Sequence, residues 1–241
     1  MIYKKVIALI FVLLCTNIHA QEFHSGTTKA KVIELFTSEG CSSCPPAEHW
    51  LATLKSHPKV FTDIIPLAFH VDYWDYIGWK DRFASPEYSQ RQRNYNRLGH
   101  IRQVYTPGFV VDNKEWRSWF SGSRNVSLNR QKSGELDVSI IKNTKGTRIL
   151  NANYSENKPV ILNVAYLGMG ITSKIGAGEN RNRTLAHEFV VLEHFTLSGN
   201  TQWKMTLSNI PQQGQEQTAI AIWISTPTQE ILQAVGGYLN E

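Results

Sequence analysis

Apolar positions fall into two regimes along the chain, and the change comes near Ser133 and Gly134. Before it, short continuous apolar runs alternate with stretches of helical spacing. Residues 31 to 37 (KVIELFT) are short and rich in strand formers. Residues 44 to 57 place Trp50, Leu51 and Leu54 at helical intervals, so a strand, a tight turn and a helix are expected. Pro45 and Pro46 fit a helix start, where the first N–H groups have no internal acceptor. A second buried strand is expected around Pro66 to Val71. Ser85, Pro86 and Glu87 then read as an N-cap, a first-turn proline and an acid matched to the helix dipole, opening a helix that runs to about Leu98 and stops at Gly99. Residues 105 to 120 read as a hairpin, with a strand from Gly108 to Val111, a turn at Asp112 and Asn113, and a return near Trp116 to Phe120. A short helix is expected around Val126 to Gln131.

Past Ser133 the period shifts to two: Leu136, Val138 and Ile140; Leu162, Val164 and Tyr166; Trp203, Met205 and Leu207. A run from Ala219 to Ile224 follows. Short alternating segments with turn signals between them predict a sandwich-like sheet protein. The expected organisation is an α/β domain over residues 25–133 followed by an all-β, sandwich-like domain over residues 135–241.

The first twenty residues change the picture. Lys4 and Lys5 precede an apolar stretch from Val6 to Cys15, and the small Ala20 stands before polar QEFHSG. That pattern predicts a signal peptide over residues 1–20 and a secreted or periplasmic protein. The run is too short to span a bilayer, which takes roughly 18 or more apolar residues. Removing the leader takes two of the 25 basic residues and none of the 20 acids, so the formal charge falls from +5 to +3. Such a balance calls for no nucleic-acid partner. Arg82, Arg91, Arg93, Arg97 and Arg102 are expected on a solvated face.

Cleavage also removes Cys15 and leaves Cys41 and Cys44, three apart in "EGCSSCPP" at the junction of strand and helix. Export puts them where disulfides persist. Unpaired N–H groups and the helix dipole would favour a thiolate at Cys41, making it the nucleophile, with Cys44, one turn into the helix, as the resolving thiol. Two other readings stand beside this one. An inert staple across so short a ring would stabilise the fold by only about 2 kcal/mol, against about 4.7 kcal/mol for a ring of about 100 residues. A metal clip needs more ligands than two thiolates for zinc, although copper(I) suits soft sulfur.

The segments "ELFTSEGCSSCPPAE", "FHVDYWDYIGWKDRFASPEYSQRQ", "YTPGFVVD" and "GAGENRNRTLAHEFVV" resemble the secreted, thioredoxin-like bacterial proteins grouped as domain of unknown function 1223. The resemblance covers both halves of the chain. It implies a thioredoxin-like fold for residues 25–133. It further implies that Pro107 is a cis-proline, with Thr106 beside it offering backbone groups to an extended peptide held across the disulfide. An acid in the strand feeding the dithiol is implied too, and Glu34 is the candidate proton relay, at a spacing one residue longer than in thioredoxins.

Other clusters carry weaker signals. "HVDYWDYIGWKD" gathers His70, Asp72, Asp75 and Asp81 with four aromatic residues, and fits sheet covering or a platform beside the dithiol, with no metal-ligand spacing. "HEFVVLEH" lacks the H-E-x-x-H spacing of zinc proteases. "GAGENRNRTLAH" reads as a polar loop between strands. The functional expectation is a thiol–disulfide oxidoreductase acting through Cys41 and Cys44, with Pro107, Thr106 and Glu34 in support. No metal or organic cofactor is called for. Its partners would be a protein thiol or disulfide and a redox partner. The alternative is a copper(I)- or partner-binding envelope protein on the same scaffold.

Overall fold

The protein is described by a computed structural model at residues 20–128, 131–144 and 146–240. The expected leader, apart from Ala20, and Cys15 within it lie outside the described residues. In chain order the elements are β1 (Ala20–His24), β2 (Lys31–Thr37), α1 (Pro45–Thr53), β3 (Ile64–His70), α2 (Pro86–Arg97), β4 (Gly108–Val111) and β5 (Lys114–Glu115). There follow β6 (Leu136–Lys142), β7 (Arg148–Tyr154), β8 (Val160–Met169), β9 (Ile171–Lys174), β10 (Thr184–His187), β11 (Val190–Gly199), β12 (Gln202–Leu207), β13 (Gln217–Ser225) and β14 (Ile231–Tyr238).

These strands form an eight-stranded sheet in the order β14-β13-β8-β11-β3-β2-β4-β5, a four-stranded sheet β1-β6-β7-β12, and the hairpin β9-β10. The expected division into an α/β thioredoxin-like domain and a separate all-β domain is therefore corrected. Strand dominates, two α-helices occur among the described residues, and the large sheet takes four strands from each side of Ser133. Where the halves meet, β3 and β11 run parallel, with Val190 opposite Ala68 and the Ala68 amide donating to the Phe189 carbonyl at 2.8 Å. Sequence spacing gave no sign of this junction, because a strand's pairing partner leaves no mark on its own periodicity.

Packing on both sides explains the apolar runs. Leu162, Val164, Tyr166, Ile220, Ile222 and Ile224 face the inner residues of the four-stranded sheet, including Leu136, Val138, Leu150 and Trp203. Their neighbours Ala165, Leu167, Ala219, Ala221 and Trp223 face the other way, into the core that holds residues of α1 and α2. A strand buried on both faces reads as a continuous run and loses its alternation. The outer four-stranded sheet, wet on one side, keeps it, as the burial of β6 shows at Leu136, Val138 and Ile140.

Several local expectations match the elements. Ser85 caps α2, its Oγ accepting from the Glu87 amide at 3.2 Å. The β4–β5 turn places Asp112 and Asn113 at φ 46° and 67°, a conformation these two side chains tolerate. The returning strand is shorter than expected, with a 3-10 turn at Arg117–Trp119 in its place. Residues 126–128 are not helical, and the rest of that expected helix reaches residues outside the described set.

Beneath α2 the core is polar as well as apolar. Trp223 is fully buried, stacked on His194 with centroids 5.0 Å apart and lying 5.5 Å from the Arg91 guanidinium. His194 Nε2 stands 3.2 Å from Asn163 Oδ1. Burial, with Arg91 nearby, pushes the His194 imidazole down to about 3. The unfolded chain thus binds a proton near pH 6.5 that the folded ring refuses until far lower pH, so this group withdraws stability as pH falls below about 6.5. Urea midpoints measured between pH 7 and pH 4.5 should fall, this residue contributing at most ~1.4 kcal/mol per pH unit. The His194→Gln protein should show a shallower acid limb; an unchanged limb would contradict the assignment.

Candidate functional site around the Cys41–Cys44 disulfide

Strand β2 ends at Thr37, and the chain turns through Ser38, Glu39 and Gly40 before reaching Cys41. Gly40 is closely packed: a Cβ there would sit 3.1 Å from Trp74 Cβ and 3.3 Å from Ile77 Cδ1. Cys41 and Cys44 are joined by a disulfide with Cα atoms 5.4 Å apart. Cys44 is the N-cap of α1, so the expected place one turn into the helix is corrected. Pro45 and Pro46 follow it and supply no N–H, so the first turn offers sulfur fewer donors than an ordinary helix start. The Ser43 hydroxyl lies 3.4 Å from Cys41 Sγ.

Both cysteines are fully buried, while Ser42 and Ser43 between them are exposed. The loop between β9 and β10 is bonded to this turn; it is the first part of the expected polar loop of residues 176 to 187, whose last four residues form β10. Asn180 Nδ2 donates to the carbonyls of Glu39 at 2.8 Å and Cys41 at 3.0 Å, and the Ser42 amide donates to Glu179 Oε2 at 3.1 Å. On another side Trp74 Nε1 donates to Thr106 Oγ1 at 2.7 Å. The Thr106–Pro107 bond is cis. Trp74 therefore links the turn before Cys41 to the Thr106–Pro107 segment, and the aromatic cluster stands beside the dithiol.

Glu34 is placed elsewhere. Side chains of a strand alternate between faces. Thr37 reaches Glu48 on α1, so Glu34, three residues earlier, turns to the opposite face, under α2. There it accepts from Arg91 Nε at 2.7 Å, Arg91 Nη2 at 2.9 Å and the Tyr95 hydroxyl at 2.6 Å. The relay role expected of Glu34 is corrected by this ion pair, as is the solvated face expected for Arg91, which is buried.

A different set of acids lies behind the disulfide. Glu48, one turn along α1 from Cys44, accepts from Thr37 Oγ1 at 2.5 Å through one oxygen and meets His187 Nδ1 at 2.5 Å with the other. His187 Nε2 faces Glu39 Oε1 at 3.3 Å, and Glu39 Oε2 accepts from Trp79 Nε1 at 2.7 Å. His70 Nδ1 lies 2.7 Å from Asp81 Oδ2, which also accepts from the Glu39 amide at 2.8 Å. Burial opposes charge on His187, yet Glu48 and Glu39 on its two nitrogens push the imidazole up to about 10. Burial alone would raise the Asp81 carboxyl, but His70 and the amides it accepts from hold it below its ordinary value. Ligand atoms of Glu48, His70 and His187 lie within 4.8 Å of one another. No spacing motif could announce this cluster, since its members come from α1, β3 and β10. The available signal was weaker: His70 closes a fully buried strand, and Glu48 sits four residues past Cys44, beside the buried Ala47 and Leu51.

A second concavity lies on the four-stranded sheet, lined by Glu22, His24, Asp137, Asn151, Asn153 and Lys204 among others, and no residue of the disulfide turn borders it. No helix among the described residues is long and apolar enough to cross a membrane.

Fold and site together define a mostly β protein with a buried Cys-x-x-Cys disulfide in a turn bonded to a loop from its second half. The chain belongs to the family described as protein of unknown function (DUF1223), whose model matches residues 32–225. Its fold is similar to that of a structural-genomics crystal structure from Agrobacterium tumefaciens, at TM-score 0.59 and 23% identity, covering 88% of this chain and 95% of that one. It is also similar to HBP35 of Porphyromonas gingivalis, at TM-score 0.57 and 16% identity, covering 89% of this chain and 76% of that one. No curated protein matches the sequence.

Replacing Glu34 by Ala should lower stability by about 3–5 kcal/mol, because it leaves the Arg91 charge buried and unpaired. Urea unfolding checks this, and Glu34→Leu with Arg91→Met should recover most of the loss. A loss below about 1 kcal/mol would contradict the buried-pair reading.

Proposed function

We propose that the protein is an exported thiol–disulfide oxidoreductase whose working group is the Cys41–Cys44 pair. The observation that carries this reading is the seating of the disulfide. It closes a ring that can stabilise the fold by only about 2 kcal/mol, at a helix N-cap, in a turn whose Glu39 and Cys41 carbonyls are held by Asn180 from the second half. A staple needs none of those surroundings.

In the oxidising direction a thiolate of a partner protein attacks Cys41 Sγ. A partner–Cys41 disulfide forms, the Cys41–Cys44 bond breaks, and the Cys44 thiolate leaves and takes up a proton. A second partner thiolate then attacks the partner's own sulfur in the mixed disulfide and releases Cys41. Two electrons and two protons pass from the partner dithiol to the protein, and the reverse sequence reduces a partner disulfide. Ser43 is the hydroxyl placed to donate to Cys41 when that sulfur carries charge. Both cysteines are buried, so an incoming chain has to open the turn's surroundings, which include the loop whose Asn180 bonds the carbonyls of Glu39 and Cys41. The copper(I) alternative would need the pair held reduced.

The experiment is trapping. The Cys44→Ser protein should accumulate mixed disulfides through Cys41 in the envelope of its host, and Cys41→Ser should accumulate few, as non-reducing gels and mass spectrometry would show. Equal yields from both variants, or none from either, would contradict a directional exchange.

A further inference from the structure

We infer that Glu48, His70 and His187 form a binding site for a zinc-class dication, separate from the dithiol and containing no sulfur. His70 Nε2 is a buried polar atom without a hydrogen-bond partner here, and His187 Nε2 and Glu39 Oε1, also without a hydrogen bond, face each other as an ion pair at 3.3 Å. His70 is tied through Nδ1 to Asp81, which leaves Nε2 as its lone-pair nitrogen. His187 sets Nδ1 toward Glu48 and Nε2 toward Glu39. His70 thus offers Nε2 inward with Asp81 behind Nδ1, and His187, binding through Nδ1 beside the ligand Glu48, has Glu39 behind Nε2. That is the outer support that fixes tautomer and orientation in histidine metal sites.

Size and chemistry agree with the assignment. Ligand atoms no more than 4.8 Å apart put a central ion within about 2.8 Å of each, so shifts under about 1 Å reach zinc bond lengths of about 2.0–2.2 Å. Two imidazoles and one carboxylate suit zinc and its neighbours and not calcium or magnesium, which take oxygen. Three protein ligands leave a fourth position for water. Glu39, Glu48 and Asp81 set three carboxylates against two imidazoles in a space closed by Phe83, whose ring centroid lies 5.1 Å from that of His70 and 5.5 Å from that of His187. Because the ligands come from α1, β3 and β10, the ion would pin the helix that carries Cys44 to strands from both halves.

The test uses the full mature chain, oxidised so that both cysteines are in the disulfide, and without a histidine tag. The protein is unfolded with a chelator, refolded with or without zinc chloride, dialysed and assayed for metal. One zinc per chain is expected, with a higher melting temperature than the metal-free sample. X-ray absorption should give a nitrogen and oxygen shell near ~2.0 Å and no sulfur at ~2.3 Å. His70→Gln and His187→Gln should each weaken binding at least ~10-fold, the scale of losing a metal contact, whereas His24→Ala, which removes the exposed histidine beside Asp137, should not. Less than ~0.1 zinc per wild-type chain, sulfur in the shell, or folded His70→Gln and His187→Gln proteins that bind as wild type would overturn the assignment. If those variants misfold, the wild-type stoichiometry and absorption spectrum decide alone.

Discussion

The parallel contact of β3 with β11 is the constraint on which the rest of the molecule depends. It is narrow, with Ala68 against Val190 and one bond to the Phe189 carbonyl, yet it turns two groups of strands into one sheet. Phe189 makes the corner at φ 60°, a conformation a bulky residue adopts only when its surroundings impose it. Those surroundings are visible: the ring is fully buried against Phe61, and its amide donates to Met169 Sδ at 3.3 Å. With the corner held there, His187 at the end of β10 reaches Glu48 on α1, and the preceding loop reaches the carbonyl of Cys41.

The site is accordingly a product of both halves. Cys41, Cys44 and Glu48 come from the turn and helix after β2. Thr106 and Pro107 come from the approach to β4, and Asn180 and His187 come from the hairpin β9-β10. The disulfide is buried, and a polar cluster backs the helix that follows it. Specificity can then reside in the loop bearing Asn180, since any partner must replace the bonds that Asn180 makes to the carbonyls of Glu39 and Cys41.

Local chemistry was legible where a residue's role is set by its neighbours in sequence. Ser85, Pro86 and Glu87 announce the start of α2, the pair Asp112 and Asn113 announces a tight turn, and the three-residue spacing of the cysteines announces the disulfide. Roles set by long-range pairing were not legible. Glu34 looked like an acid aimed at the dithiol because strand parity is invisible until the register is known, and its partner Arg91 lies 57 positions away. Glu48 and His187 are 139 positions apart, and neither stands in a recognisable ligand pattern. The division near Ser133 was read from a real change of periodicity, from runs to alternation. That change marks entry into β6 and β7 of the four-stranded sheet, wet on one side, whereas β8 and β13 beyond them are again buried on both faces, so it does not mark where a sheet ends.

The proposed exchange requires that the Cys41–Cys44 bond be made and broken in use. Equilibrating the mature protein against graded ratios of reduced to oxidised glutathione or dithiothreitol, and trapping free thiols at each step, measures this directly. The account predicts a reversible two-electron transition with a midpoint between about −270 and −120 mV, the range spanned by working dithiols. A midpoint below about −300 mV, where structural disulfides fall, would contradict it.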